Sequence, residues 1–222
     1  MLSTMTSTGV RSAGTEPAAA RAGSGAGGAD SATRAPESVQ RLIEAGAEAF
    51  ADKGFHATTT RDIAARAGMS PAGVYVHFAS KEDLLFQLSL RGHQRALEVL
   101  EAARARRAAP PEQLADIVAD FAQWHAEHFR TARIVQYEFP HLSPGHRDVV
   151  LRMRKDIDAI MRGVLTAGVG SGDFEIPDVP GTTLALLSMT IDVARWYEPG
   201  IRRTPAAIGT AYAELALRLV RP

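Results

Sequence analysis

Residues 59–78 read TTRDIAARAGMSPAGVYVHF, and the fold turns on how this stretch is punctuated. Thr59-Thr60-Arg61-Asp62 has the form of a capping box. A threonine hydroxyl accepts from the backbone three residues on, and an acid returns the bond, which opens a helix. Gly68 follows Ala67 as a helix stop. Ser70-Pro71 then reads as an N-cap with proline at the first helical position. Two short helices are therefore joined by a tight turn centred on Gly68, the second running from about Pro71 to His77. Ile63, Ala64, Ala67, Met69 and Val74 supply the apolar contacts between them. Ala64 and Ala67 matter by being small, since larger side chains would push the helices apart. This is a helix-turn-helix, in which the second helix enters a major groove about 12 Å wide, N-terminus first.

The pattern stays helical on both sides. Val39, Leu42, Ile43, Gly46, Ala47 and Phe50 share one face at 3.6-residue spacing, giving a first helix closed by Gly54. Ser80-Lys81-Glu82-Asp83 forms another capping box. It opens a long fourth helix through Leu84, Leu88 and Leu97 to about Arg106. Pro110-Pro111 breaks the chain. Further helices are expected near 112–129, 131–138, 145–168, 180–197 and 205–220, with a loop from Gly168 to Pro180. No strand pair, hairpin turn or internal repeat is recognisable. The expected class is all-α: a three-helix DNA-binding domain over residues 36–83 and a larger helical domain over 84–222. Residues 1–35, rich in Ala, Gly, Ser and Thr, read as a disordered tail with too little to bury. Arg11, Arg21 and Arg34 in it could serve as a basic arm.

Composition narrows the classes. The chain has 222 residues, 45% hydrophobic, with 25 basic and 25 acidic side chains and no cysteine. Zero net charge argues against bulk coating of nucleic acid. The absence of cysteine removes disulfides and thiolate chemistry. No apolar run approaches the roughly 18 residues of a membrane span, and no secretory core is visible, so a cytoplasmic protein is expected. No phosphate loop, nucleophile elbow or His-Glu-x-x-His helix appears, so no catalytic residue, metal site or cofactor is assigned. His125 and His128 stand three apart on one helix, but two imidazoles do not make a metal site.

The stretch from about Ser38 to Leu85 closely resembles the DNA-binding domain of TetR-family regulators. Gly54-Phe55, Thr59-Thr60, Ala67-Gly68, Tyr75, His77-Phe78, Ser80-Lys81-Glu82 and Leu84 carry the resemblance. It implies that Thr60 and Arg61 hold phosphate at the start of the second helix. Ser70, Pro71, Ala72 and Gly73 would face bases. Tyr75 and His77 would lean on the backbone or a base edge, and Lys81 would be the phosphate-binding lysine. This chain departs from strong base readers, because Ala72, Gly73 and Val76 are small and helix three offers no Arg, Asn or Gln for bidentate reading. Residues 36–83 hold five basic and seven acidic side chains, a local charge of about minus two, so non-specific DNA affinity should be modest.

The resemblance implies that 84–222 is a ligand-binding and dimerisation domain, in which the helices form a ligand pocket and the last two pair with those of a second copy. Thr182 to Ala194 has one charge, Asp192, and so must be buried nearly all round. A second, weaker resemblance, to TetR-type regulators of fatty-acid and steroid breakdown that sense acyl-CoA, rests on Arg195, Trp196, Tyr197, Pro199, Gly200, Thr204 and Pro205. It implies an arginine, Arg195, pairing with CoA phosphates beside Trp196, and an acyl chain among Phe121, Trp124, His125, Phe129 and Phe139. The expected function is a homodimeric repressor on double-stranded operator DNA, released by a small-molecule effector, which the second resemblance makes an acyl-CoA. An activator, an effector-free DNA-binding protein and an enzyme are the alternatives. The last has no catalytic constellation to support it.

Overall fold

The structure is a computed structural model that describes residues 30–220, with side-chain surroundings from Glu37 onward. The tail arginines named above lie outside the described side chains. Helices α1 (Asp30–Ala57), α2 (Thr60–Arg66), α3 (Pro71–His77) and α4 (Lys81–Ala105) come first. They are followed by α5 (Pro110–Glu127), α6 (Phe129–Tyr137), a 3₁₀ turn (Phe139–His141), α7 (Pro144–Ser171), α8 (Val179–Trp196) and α9 (Pro205–Val220). No strand occurs among the described residues.

The capping logic of the sequence is realised bond by bond. The Thr59 hydroxyl accepts from the Asp62 N–H, and the Asp62 carboxylate accepts from the Thr59 N–H. Ser70 accepts from Gly73 N–H at 3.1 Å. Ser80 accepts from Asp83 N–H, but the returning Asp83 carboxylate takes the Ala79 N–H, one residue earlier than a capping box requires. Regular helix breaks at Gly54, whose φ of 71° is open to glycine alone without strain. Gly68, at φ 66°, makes the turn between α2 and α3.

Three expectations shift. α1 begins at Asp30, ahead of Pro36. Pro110 and Pro111 open α5 instead of breaking the chain before it, because the first helical turn needs no proline N–H. Gly168 does not start a loop. It lies buried inside α7, which runs on to Ser171, because the Phe174 ring folds over it where a Cβ would stand.

Two large cores form. One is built around α5, where Leu114, Ile117 and Phe121 meet Met161 and Leu165 of α7 and Leu186 of α8, and α9 packs along α5. The other joins Leu42 and Phe50 of α1, Ile63 of α2, Val74 of α3 and Leu84, Leu85 and Leu88 of α4. It also takes in Ile134, Leu142 and Val150. The helix-turn-helix thus shares buried side chains with α6 and α7, and each fully buried leucine or phenylalanine there contributes about 1.5–3 kcal/mol.

Candidate functional site

The first candidate surface is the outer face of α2 and α3. Ile63, Ala64 and Val74 are buried and hold the two helices together, with Met69 N–H returning to Ala64 O at 2.9 Å. Exposed residues here include Arg61, Ser70, Pro71, Ala72, Tyr75 and Val76. Tyr75 is 58% exposed and Val76 78%, so the recognition helix presents apolar surface to solvent. The Tyr75 hydroxyl reaches Thr60 Oγ1 at 3.4 Å, which sets these two predicted contacts side by side. Gly73 is half-buried against Met69 and Ser70.

Two predicted contacts have internal duties. The Lys81 ammonium donates to the carbonyls of Phe55, His56 and Thr58 and lies 4.3 Å from the Phe55 ring centroid. It satisfies the end of α1, where helical carbonyls have no partners of their own. A DNA phosphate would have to share those donors. His77 Nε2 lies 3.0 Å from the Ser38 hydroxyl and ties the end of α3 to α1.

The second candidate is a cavity of about 370 Å³ lined by α4, α5, α6, α7 and α8 and open on one side. Of the expected ligand residues, Phe121, Trp124 and His125 line it. Phe129, Phe139, Arg195 and Trp196 do not. Phe129 packs outside on Tyr197 and Arg133. Phe139 sits in the 3₁₀ turn, its ring facing the guanidinium of Arg154 at 4.2 Å. Arg195 forks onto Asp192, one turn back on α8, at 2.6 and 2.9 Å. Trp196 ends α8 partly exposed. An i,i+3 acid was enough to turn the expected pocket arginine outward.

The cavity's arginine is Arg154, which the sequence reading missed. It lies among Arg152, Lys155 and Asp156 in a stretch with the charge density of a solvated helix. His93 was also unassigned as a lining residue. Its signal was legible, for it stands with Ser89, Ala96 and Leu100 on the buried stripe of α4.

Both cavity histidines have their protonation fixed by geometry. Nδ1 of His93 lies 2.8 Å from Ser89 O, and Nδ1 of His125 lies 2.8 Å from Phe121 O. Each Nδ1 therefore carries the proton, leaving Nε2 as an acceptor. Burial pushes His93 down to about 4 against the raising effect of its Ser89 bond, and the Arg154 charge adds to the fall. Burial does the same to His125, also to about 4. The His93 Nε2 accepts the Arg154 Nε–H at 3.3 Å.

Two carboxylates tie the helix-turn-helix region to the start of α7 and to the residue before the 3₁₀ turn. The Glu82 carboxylate, near the start of α4, accepts from Ser143 N–H at 2.7 Å and from His146 Nδ1 at 2.9 Å. Burial alone would raise the Glu82 carboxyl, but the Ser143 and His146 bonds hold it below its usual range. Glu138, next to Phe139, accepts from Phe55 N–H at 3.1 Å at the end of α1.

Comparison with known proteins agrees with this architecture. Residues 42–88 match the family model described as bacterial regulatory proteins, tetR family, and residues 107–220 match the tetracyclin repressor-like C-terminal domain. The transcriptional repressor KstR2 of Rhodococcus jostii is 32% identical over 183 residues, covering 79% of this chain and 87% of KstR2. A tetR-family regulatory protein from Rhodococcus RHA1 superposes with a TM-score of 0.79 at 39% identity, over 83% of this chain and 97% of its own. The FadR regulator of Bacillus subtilis, solved with stearoyl-CoA, has a TM-score of 0.67 at 24% identity, over 80% and 97% of the two chains, a likeness of fold. With both family models in register on one continuous helical frame, the chain belongs to the TetR family of bacterial regulatory proteins.

Proposed function

We propose that this protein is a homodimeric transcriptional repressor that binds operator DNA through α2 and α3 and is released by an acyl-type effector in the α4–α8 cavity. The observation that carries the reading is the double membership of α4. Its first turns put Leu84, Leu85 and Leu88 into the core of the helix-turn-helix, and its middle puts His93 and Ala96 into the cavity wall. A ligand that favours one tilt of α4 also favours one spacing of the two recognition helices in a dimer. A coupling of about 1–3 kcal/mol would weaken operator binding about 5–150-fold. The effector must bind the two states unequally for anything to move.

Thr60, Arg61 and Tyr75 contact phosphates in this reading. Ser70, Pro71, Ala72 and Val76 face the base edges, where small apolar groups suit thymine methyls and DNA shape. The dimer forms on α8 and α9. Leu184, Leu215 and Leu219 are 67%, 51% and 56% exposed and mark an apolar face that a second copy would cover. No helix of the described residues is long and apolar enough to cross a membrane, in keeping with action on DNA in the cytoplasm. The stearoyl-CoA held by FadR makes long-chain acyl compounds, free or as thioesters, the first effectors to try.

Fluorescence anisotropy on the chain's own upstream promoter tests this. Tight binding released by an acyl compound supports the whole reading. Tight binding that no effector relieves leaves an effector-independent regulator. Binding without repression in a reporter assay would make it an activator. Genome-wide selection of bound DNA that recovers no specific site would refute the DNA-binding role.

A further inference from the structure

Arg154 differs from Arg106 and Arg195 among the described arginines. Arg106 and Arg195 are raised by the carboxylates beside them, and each lies in an ion pair. Arg154 is lowered by burial, with no carboxylate paired to it among the described residues. Its Nε–H is taken by His93, and its Cζ lies over the Phe139 ring, 4.2 Å from the centroid. Neither Nη has a hydrogen-bond partner among the described residues. Asp158, the acid in the cavity lining, is paired with Arg162 at 2.7 Å. Two neutral imidazoles, His93 and His125, add no compensating charge. The cavity lining holds one more donor without an acceptor, the buried Nε1–H of Trp124. A half-buried cation in the cavity lining, whose two Nη groups no protein acceptor takes among the described residues, makes the cavity a poor host for a cation and an incomplete one for a hydrocarbon.

We propose that the cavity takes an amphipathic organic acid, with its carboxylate on the two Nη groups of Arg154 and its apolar body against Phe121, Ile157 and Leu187. Resting on the reading of this cavity as the effector site, this names the chemistry of the ligand. Position selects the carboxylate over a nucleotide phosphate as the anion. The lined space of about 370 Å³ opens to solvent on one side, so the nucleotide of a coenzyme A thioester would extend outside it, away from the apolar walls. The anion that meets Arg154 enters with the apolar body. The His93 bond and the Phe139 ring hold the guanidinium in place before the ligand arrives.

Isothermal titration of the full chain with decanoate and 4-phenylbutanoate, each beside its neutral amide of equal size, tests the idea. At least one acid is expected to bind about ten- to a hundredfold more tightly than its amide, the effect of one charge-assisted pair. Arg154→Gln should erase that difference, and Arg154→Lys should keep part of it, with melting curves checking both folds. The acid–amide comparison needs only the wild-type chain and stands if the variants do not fold. Amides that bind as well as acids, or acids that do not bind, would overturn the proposal. Decanoyl-CoA binding where decanoate fails would overturn it too and place the anion on the nucleotide outside. Operator anisotropy run in parallel separates the two claims. Operator binding relieved by something other than an acid leaves the repressor standing without this anchor. A strong acid preference in a protein with no specific DNA site leaves the anchor standing without the repressor.

Discussion

Acidification from pH 8 to pH 5 should destabilise this protein through His93 and His125. Both are buried, and both are neutral in the fold, with values near 4 against an ordinary 6.5. In the unfolded chain each binds a proton as the pH falls through 6.5, whereas the folded form resists until about 4. The unfolded state therefore gains protons over that window, and stability falls with pH. At pH 5 the difference amounts to about 2 kcal/mol per histidine, or about 4 kcal/mol for the pair. Against a net stability of about 5–15 kcal/mol this is a large fraction. For a chain of this size it corresponds to a fall of about 8–16 °C in melting midpoint. Asp62 and Glu82, whose carboxyls are held low, act in a different window. Their stabilisation is present above the ordinary values of 3.8 and 4.5 and is lost only below them. Circular-dichroism melts at fixed protein concentration, on the wild type and on the His93→Gln/His125→Gln double variant, isolate the effect, since whatever else titrates is common to both. A wild-type midpoint that falls no further than that of the double variant would refute the claim that these imidazoles are buried neutral.

Further expectations concern packing and the DNA surface. A methyl group on Gly209 would stand against the backbone carbonyl of Ala119, which cannot rotate away, so Gly209→Ala should force α9 off α5, cost about 1–3 kcal/mol and lower the melting midpoint. Lys81→Met removes the donor for three carbonyls at the end of α1. It should destabilise the protein by about 1–3 kcal/mol; an unchanged melt with a shallower salt dependence of DNA binding would show instead that Lys81 serves phosphate. Arg61→Ala should do the reverse, leaving the melt alone and reducing the salt slope of operator binding by about one. Thr59→Ala loses the cap of α2 and should cost about 1 kcal/mol by chemical denaturation.

Local chemistry wrote much of this protein into its sequence. A hydroxyl three residues before an acid, a glycine after an alanine, and a serine before a proline act within one helical turn. The bounds of α2 and α3 and the start of α4 followed from them without knowledge of the rest of the chain. Tertiary contacts decided what those rules could not reach. The kept helix at Gly168 depends on Phe174 lying across it, and α7 runs on for that reason. Lys81 stands at a position that reads as a phosphate contact, yet carbonyls more than twenty residues away take its donors. The cavity is the clearest case. Aromatic residues from Phe121 to Trp196 looked equivalent along the chain, but only Phe121 and Trp124 of those named face inward. Arg195 found an acid one turn away and turned to solvent. Arg154, in a highly charged stretch, was left with an imidazole and a phenyl ring brought to it by α4 and the 3₁₀ turn. A charge goes where its partners are, and those partners are set by helix packing across sixty residues or one turn, a choice that periodicity does not encode.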